Sequence, residues 1–298
     1  MKLVIVGSVA LDGVKTPFGE VDRVLGGSAV YASIASSKFC ETGIVGVIGN
    51  DFPKEHIELL QENDVCLEGL QEKDGKTFYW KGVYNNLNCA ETLDTQLNVF
   101  AEFNPIIPEK YQNCDFLFLG NIDPTLQLQV LDQVNDPILT AMDTMNFWIT
   151  GKRQELLEVI KRIDVLFINE EEIRMLTDEK NVFSAARKAQ ALGPKLIVIK
   201  RGEYGALAFG ADFFFFSPIF PVLDVIDPTG AGDSFAGGFM GYLASTGRID
   251  NAVIRKAMMY GTVTASFDVE DFSLGKLKNI DKRLIDDRLQ KLREYIEF

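Results

Sequence analysis

Cysteine is scarce in this sequence and never clustered. Cys40, Cys66, Cys89 and Cys114 stand more than twenty residues apart, with no Cys-x-x-Cys pair. They read as reduced, mostly buried thiols of a cytosolic protein. No apolar run approaches the length that spans a bilayer. The apolar stretch after Met1-Lys2 is too short for a signal peptide and reads as a first buried strand. Positive charge is also in short supply: 30 Lys and Arg face 43 Asp and Glu, a net charge of −13. That field repels phosphate backbones and anionic lipid, which argues against nucleic acid and membrane as partners. A cytoplasmic location follows. An anionic small molecule is not excluded, because a local nest of backbone N–H groups outweighs a diffuse field. The only histidine, His56, lies in the first turns of an expected helix without a partner motif, and is read as an ordinary surface residue.

What is present is an alternation. Short β-branched runs at Leu3–Val6, Ile44–Ile48, Phe116–Leu119, Val165–Ile168 and Leu196–Lys200 are continuous rather than alternating, as buried parallel strands are. Amphipathic stretches such as Lys152–Arg162 and Asn181–Leu192 lie between them, which predicts a doubly wound α/β sheet covered on both faces. Phe213–Phe216 follows a Gly-Ala-Asp turn and reads as the second strand of a hairpin. From Ile280 onward, Leu284, Ile285, Leu289, Leu292 and Ile296 fall on one stripe of a closing helix. Two regions, about 11–25 and 65–103, break the rhythm. They predict a small antiparallel sheet standing over one edge of a single domain that spans 1–298.

The strongest chemical signal is Asp227-Pro-Thr-Gly230-Ala231-Gly232-Asp233, after which apolar residues at 235, 239, 242 and 243 define a helix. A glycine turn opening a helix presents unpaired N–H groups and the positive end of the helix dipole. Gly230, Ala231 and Gly232 therefore form an anion hole suited to a phosphate in transfer. Asp233, one residue on, is placed to take a proton from a hydroxyl, and the nest favours its charged form. Other phosphate motifs fail. The Gly-Lys pairs at 75, 151 and 275 have Leu70, Asn146 and Glu270 where a Walker loop needs glycine, and a dinucleotide fingerprint from Gly230 meets Phe235.

The Asp-x-Thr-Gly-Ala-Gly-Asp segment resembles the signature of the ribokinase-like carbohydrate and nucleoside kinases, and the resemblance runs in order along nearly the whole chain. Asp12, in Gly7-Ser-Val-Ala-Leu-Asp12, is similar to the family aspartate that binds substrate hydroxyls. Gly26-Gly27-Ser28 resembles the second family signature, Asp143-Thr-Met-Asn146 the Asp-x-Asn segment, and Lys200-Arg-Gly202 with Gly205 the strand end that meets the nucleotide phosphates. Asn169 and Glu172 match the Asn-x-x-Glu motif that holds Mg2+ through water, and Asp227 with Thr229 resembles part of a monovalent-cation (K+) site.

The resemblance implies a ribokinase-like three-layer α/β sandwich with a mostly parallel central sheet and a small β-lid. It implies an ATP- and Mg2+-dependent phosphotransferase with Asp233 as general base, acting on a carbohydrate or polyol. Acceptor contacts are expected from Asp12, Gly26, Gly27, Ser28, Tyr31 and Asn146, and nucleotide contacts from Lys200, Gly202, Gly205 and Met258. The sequence departs from the family pattern in carrying Ser28 and Tyr31 after the double glycine, Phe147-Trp148 near the usual arginine, and Ala257-Met258-Met259 at the adenine pocket. A nucleoside kinase is the alternative, because Phe78, Tyr79, Trp80 and Tyr84 of the lid could stack a base. A non-catalytic sugar-binding protein is a third reading, opposed by intact Asp233, Asn169 and Glu172. A lid that pairs between subunits would make a homodimer, since an exposed sheet seeks cover.

Overall fold

A computed structural model describes residues 1–297; the Cys89 side chain and Phe298 lie outside the described residues. The chain opens with strands β1 (Leu3–Val6), β2 (Ala10–Thr16) and β3 (Gly19–Gly26), then helix α1 (Ser28–Ser37). Next come β4 (Thr42–Gly49), α2 (Lys54–Glu62) and a run of strands, β5 (Val65–Lys73), β6 (Phe78–Asn86) and β7 (Cys89–Gln96). The middle alternates: α3 (Glu109–Gln112), β8 (Phe116–Leu119), α4 (Pro124–Leu131), β9 (Leu139–Met142), α5 (Asn146–Gly151) and α6 (Arg153–Ile160). It continues through β10 (Val165–Asn169), α7 (Glu170–Thr177), α8 (Val182–Gln190) and β11 (Leu196–Lys200). The hairpin β12 (Ala206–Gly210) and β13 (Phe213–Ser217) precedes three closing helices, α9 (Ala231–Thr246), α10 (Asn251–Asp268) and α11 (Lys282–Ile296).

Nine strands form one sheet in the order β13-β12-β11-β10-β9-β8-β1-β4-β5. All neighbours are parallel except the two pairs that involve β12. Side chains alternate across each strand, so β1 sends Leu3 and Ile5 into one core and Val4 and Val6 into the other. The first core is covered by α1, α9, α10 and α11, the second by α4 to α8. That is a three-layer α/β sandwich. The glycines of α9 let helices meet at backbone distance: a Cβ on Gly237 would stand 2.3 Å from the Ala32 carbonyl oxygen. In α11, Ile285 and Leu292 are buried and Leu289 is partly so, but Leu284 and Ile296 are exposed, so the buried stripe is narrower than the sequence suggests.

A second sheet has the order β3-β2-β6-β7. It differs from the expectation in two ways. Its central pair, β2 and β6, is parallel, because the chain leaves β3, crosses the large sheet and returns. The segment 65–73 belongs instead to the large sheet as edge strand β5, paired in parallel with β4. Of the described thiols, Cys114 is buried whereas Cys40 and Cys66 are half-buried. His56 is half-buried as well, edge-on to Phe52 with ring centroids 5.5 Å apart. No helix among the described residues is long and apolar enough to cross a membrane.

Candidate active site

Parallel strands of an open sheet end at one edge, and loops there collect residues from distant parts of the chain. Here that edge carries Gly7 after β1, Gly120 after β8, Asp143 after β9, Asn169 at the end of β10 and Lys200 at the end of β11. Helix α9 aims its N-terminus at this row. Gly230 is its N-cap with φ 81°, a left-handed conformation suited to glycine. A side chain is excluded there for a second reason: a Cβ would meet the Tyr31 ring at 2.4 Å. The Ala231 N–H is spent on the Pro228 carbonyl (3.2 Å), so the turn offers fewer donors than the glycine pattern suggests. The Lys200 ammonium compensates, lying 3.1 Å from where a Cβ on Gly232 would be.

Lys200 is ion-paired with the buried carboxylate of Asp143. Burial lowers its pKa, but Asp143, Asp233 and Glu172 outweigh that and hold it above the ordinary value. Asp233 behaves differently from the sequence expectation. Burial, with Asp143 adding to it, pushes its carboxyl up to about 7 against the pull of Lys200. Burial thus works against the helix-end nest at this carboxyl.

On the small sheet, Asp12 is 4 % exposed and its carboxylate lies across Gly26, where a Cβ would overlap Oδ2 at 1.8 Å. Burial, then Asp227 and Asp233, raise Asp12 to about 7 despite a bond from the Gly27 N–H. Gly27 caps α1 at φ 99°, and a Cβ on it would stand 2.4 Å from the Ser8 carbonyl oxygen. The side chains of Ser28 and Tyr31, both expected to touch the acceptor, have partners within the protein. Ser28 exchanges hydrogen bonds with Ser8 (3.0 and 3.2 Å), tying α1 to the end of β1. Tyr31 is 1 % exposed and packs under Gly230, shaping the anion turn from behind. Asn146 is exposed at the start of α5, and its backbone N–H serves the Glu172 carboxylate rather than the Asp12 side.

The three acids after β10 have three fates. Glu170 binds Arg174 and Arg201, and Glu171 is exposed. Glu172 closes a capping box with Asn169: Asn169 Oδ1 accepts from the Glu172 N–H (2.8 Å) and Glu172 Oε2 from the Asn169 N–H (2.9 Å). Such a cap is worth about 0.5–2 kcal/mol. Burial chiefly, and Asp143, raise Glu172 to about 7, with Lys200 opposing. Among the described residues no cluster of three or more His, Cys, Asp or Glu could cage a metal ion. Magnesium does not require one, since it keeps waters and takes phosphate oxygens with one or two carboxylates.

A cavity of about 410 Å³ opens beside the anion turn. Lys200, Gly202, Gly205, Ala231 and Gly232 form its polar end, and Ile219, Phe220, Val225, Ala265 and Val269 its apolar end. Size and lining suit a nucleotide. Met258 is not part of it. It is fully buried in the core behind α10, and Thr262, Ala265 and Ser266, one turn or two further on, take the position expected of it. A wider groove between α2 and the start of α11 is lined by none of the motif residues. Sequence reading also missed Asp268, a buried carboxyl held well above the ordinary value by burial, then by Asp227 and Asp233. The signal available was an acid on the buried side of the otherwise apolar end of α10.

The model of the pfkB family of carbohydrate kinases matches residues 3–279. The chain belongs to this family. It is a phosphotransferase with a hydroxyl acceptor. Among pfkB relatives, the cytidine kinase of Thermococcus kodakarensis is 33 % identical over 246 residues, covering 80 % of this chain and 87 % of that protein. The Burkholderia thailandensis nucleoside kinase, solved with inosine, superposes with a TM-score of 0.78 at 16 % identity, covering 98 % of this chain and 99 % of that one. An E. coli protein solved with ATP and Mg2+ gives 0.78 at 17 % identity, covering 97 % and 99 %. These two likenesses establish the ribokinase-like fold.

Proposed function

We propose that this pfkB-family protein transfers the γ-phosphoryl group of ATP to a hydroxyl of a nucleoside, with a pyrimidine nucleoside such as cytidine foremost. The observation that carries this is the 33 % identity to a cytidine kinase across most of both chains. It supports the nucleoside alternative over the carbohydrate or polyol favoured by the motifs alone.

In this reading Asp12 accepts hydrogen bonds from the ribose hydroxyls, and the Gly26–Gly27 backbone lets the sugar approach closely. Asp233 takes the proton of the attacked hydroxyl as its oxygen bonds to the γ-phosphorus and the bond to ADP breaks. The first-turn N–H groups of α9 and Lys200 balance the charge on the transferring group. Asn169 and Glu172 would hold Mg2+ through water, and the ion would neutralise phosphate charge. The small sheet would act as a lid, closing over the acceptor and excluding water. The test is direct: the purified protein with cytidine, ATP and Mg2+ should yield ADP and a nucleoside monophosphate. Turnover of sugars with every nucleoside inert would overturn the reading.

A monovalent cation is a further part of this proposal. Asp227 accepts from the N–H groups of Thr229 (2.9 Å) and Ser273 (3.2 Å), which ties the anion turn to the segment after α10. A K+ ion held by Asp227 and Thr229 would steady that turn. Activity should therefore rise with potassium; equal rates in sodium, potassium and a large organic cation would count against this site.

A further inference from the structure

Four aromatic side chains on β6 compete for the role of base platform, and the structure separates them. Phe78 is stacked on Phe100 at 5.2 Å. Tyr79 points to the opposite face from Asp12, crossing Gly13 to donate to Asp22 (2.7 Å). Tyr84 is buried over the nucleotide cavity and shares a hydrogen bond with Thr229 (3.2 Å). That leaves Trp80. It pairs in register with Asp12, so the two side chains share the inner face of the small sheet, one strand apart. The indole leans from β6 toward β7, on the side away from β2, so the space between it and Asp12 exceeds the strand spacing of about 4.8 Å.

The indole has a built seat. Its Nε1 donates to Thr92 Oγ1 (3.2 Å), and its six-membered ring lies over Gly82, where a Cβ would stand 2.3 Å from Cη2. Gly82 is directly opposite Thr92 on β7, so both fixings come from one register position. A flat ring held this way loses little freedom when a second ring stacks on it. We infer that Trp80 is the stacking platform for the acceptor's base and the side chain that sets preference for nucleosides over free sugars. This rests on the nucleoside reading above.

Stacking tolerates any base but gives nothing to a bare sugar, so the test compares the two. Trp80→Ala should raise the KM for cytidine roughly 5- to 150-fold, the range seen for loss of one aromatic–base stack. Its kcat and its KM for ribose should stay near those of the unaltered protein. Trp80→Phe should recover most of the loss. Gly82→Ala, which pushes the indole off its seat, should shift the cytidine KM the same way. A separate readout uses the two tryptophans of the chain. In a Trp148→Phe background Trp80 is the sole indole, and cytidine, but not ribose, should quench its fluorescence. An unchanged cytidine KM in Trp80→Ala, or an equal rise for ribose, overturns the assignment of Trp80 while leaving the nucleoside kinase intact. Absence of turnover with any nucleoside in the unaltered protein strikes the parent reading instead.

Discussion

Asp233→Asn should cut phosphoryl transfer by roughly 100- to 10,000-fold, the usual cost of losing a general base. Nucleotide affinity should change little, because the amide keeps the shape of the carboxylate and Lys200 keeps its partner Asp143. The pH dependence makes the prediction sharper. Burial and Asp143 raise Asp233 from 3.8 to about 7, so the proton-accepting form is lost as pH falls through that value. In the unaltered protein kcat/KM should climb about tenfold per unit below pH 7 and level off above it. Asp12 and Glu172 are raised to about 7 as well, so the limb needs assigning. Asp12→Asn should keep it and Asp233→Asn should not. An Asp233→Asn protein within threefold of the unaltered rate, or one that retains the limb, would refute the base assignment.

Asp12→Ala should raise the acceptor KM by roughly 10- to 150-fold, because a hydrogen bond to a charged group is worth about 1.5–3 kcal/mol and its loss leaves hydroxyls unpaired in a closed site. The KM for ATP should stay put, since Asp12 is on the small sheet rather than the nucleotide cavity. Stability should move the other way. A carboxyl whose folded-state value is raised binds more protons folded than unfolded, so its burden on the fold grows as pH rises from about 4 to 7. Asp12→Asn should therefore melt no lower than the unaltered protein at pH 8. A fall in melting temperature together with an unchanged acceptor KM would recast Asp12 as a structural residue.

Much of this was legible in the sequence, and the gaps follow a physical rule. Runs such as Leu3–Val6 and Leu196–Lys200 announce themselves because both of their faces are buried. Strand β5 does not, because an edge strand is only half covered and Val65–Lys73 mixes buried with exposed positions. Parallel pairing of β2 with β6 joins residues far apart in the chain, and no local pattern encodes it. The site shows the same division. The turn at Gly230 and the Asn169–Glu172 pair are local motifs. The raised value of Asp233 comes from burial and then from Asp143, ninety residues earlier, and a local helix-end pattern encodes neither. Ser28, Tyr31 and Met258 sit at expected places in the chain, yet their side chains turn toward Ser8, Gly230 and the α10 core. Position in a motif specifies the backbone; side-chain direction is set by packing.

In the proposed reading the acceptor is a nucleoside, gripped by its sugar at Asp12 and its base on the small sheet. The most direct measurement is the ratio of kcat/KM for cytidine to kcat/KM for free ribose, taken on one preparation with ATP and Mg2+. A ratio of roughly 5 to 150 is expected, because the base adds a stack that ribose lacks and such a stack is worth about 1–3 kcal/mol. A ratio of one or less would contradict it and return the protein to the carbohydrate kinases.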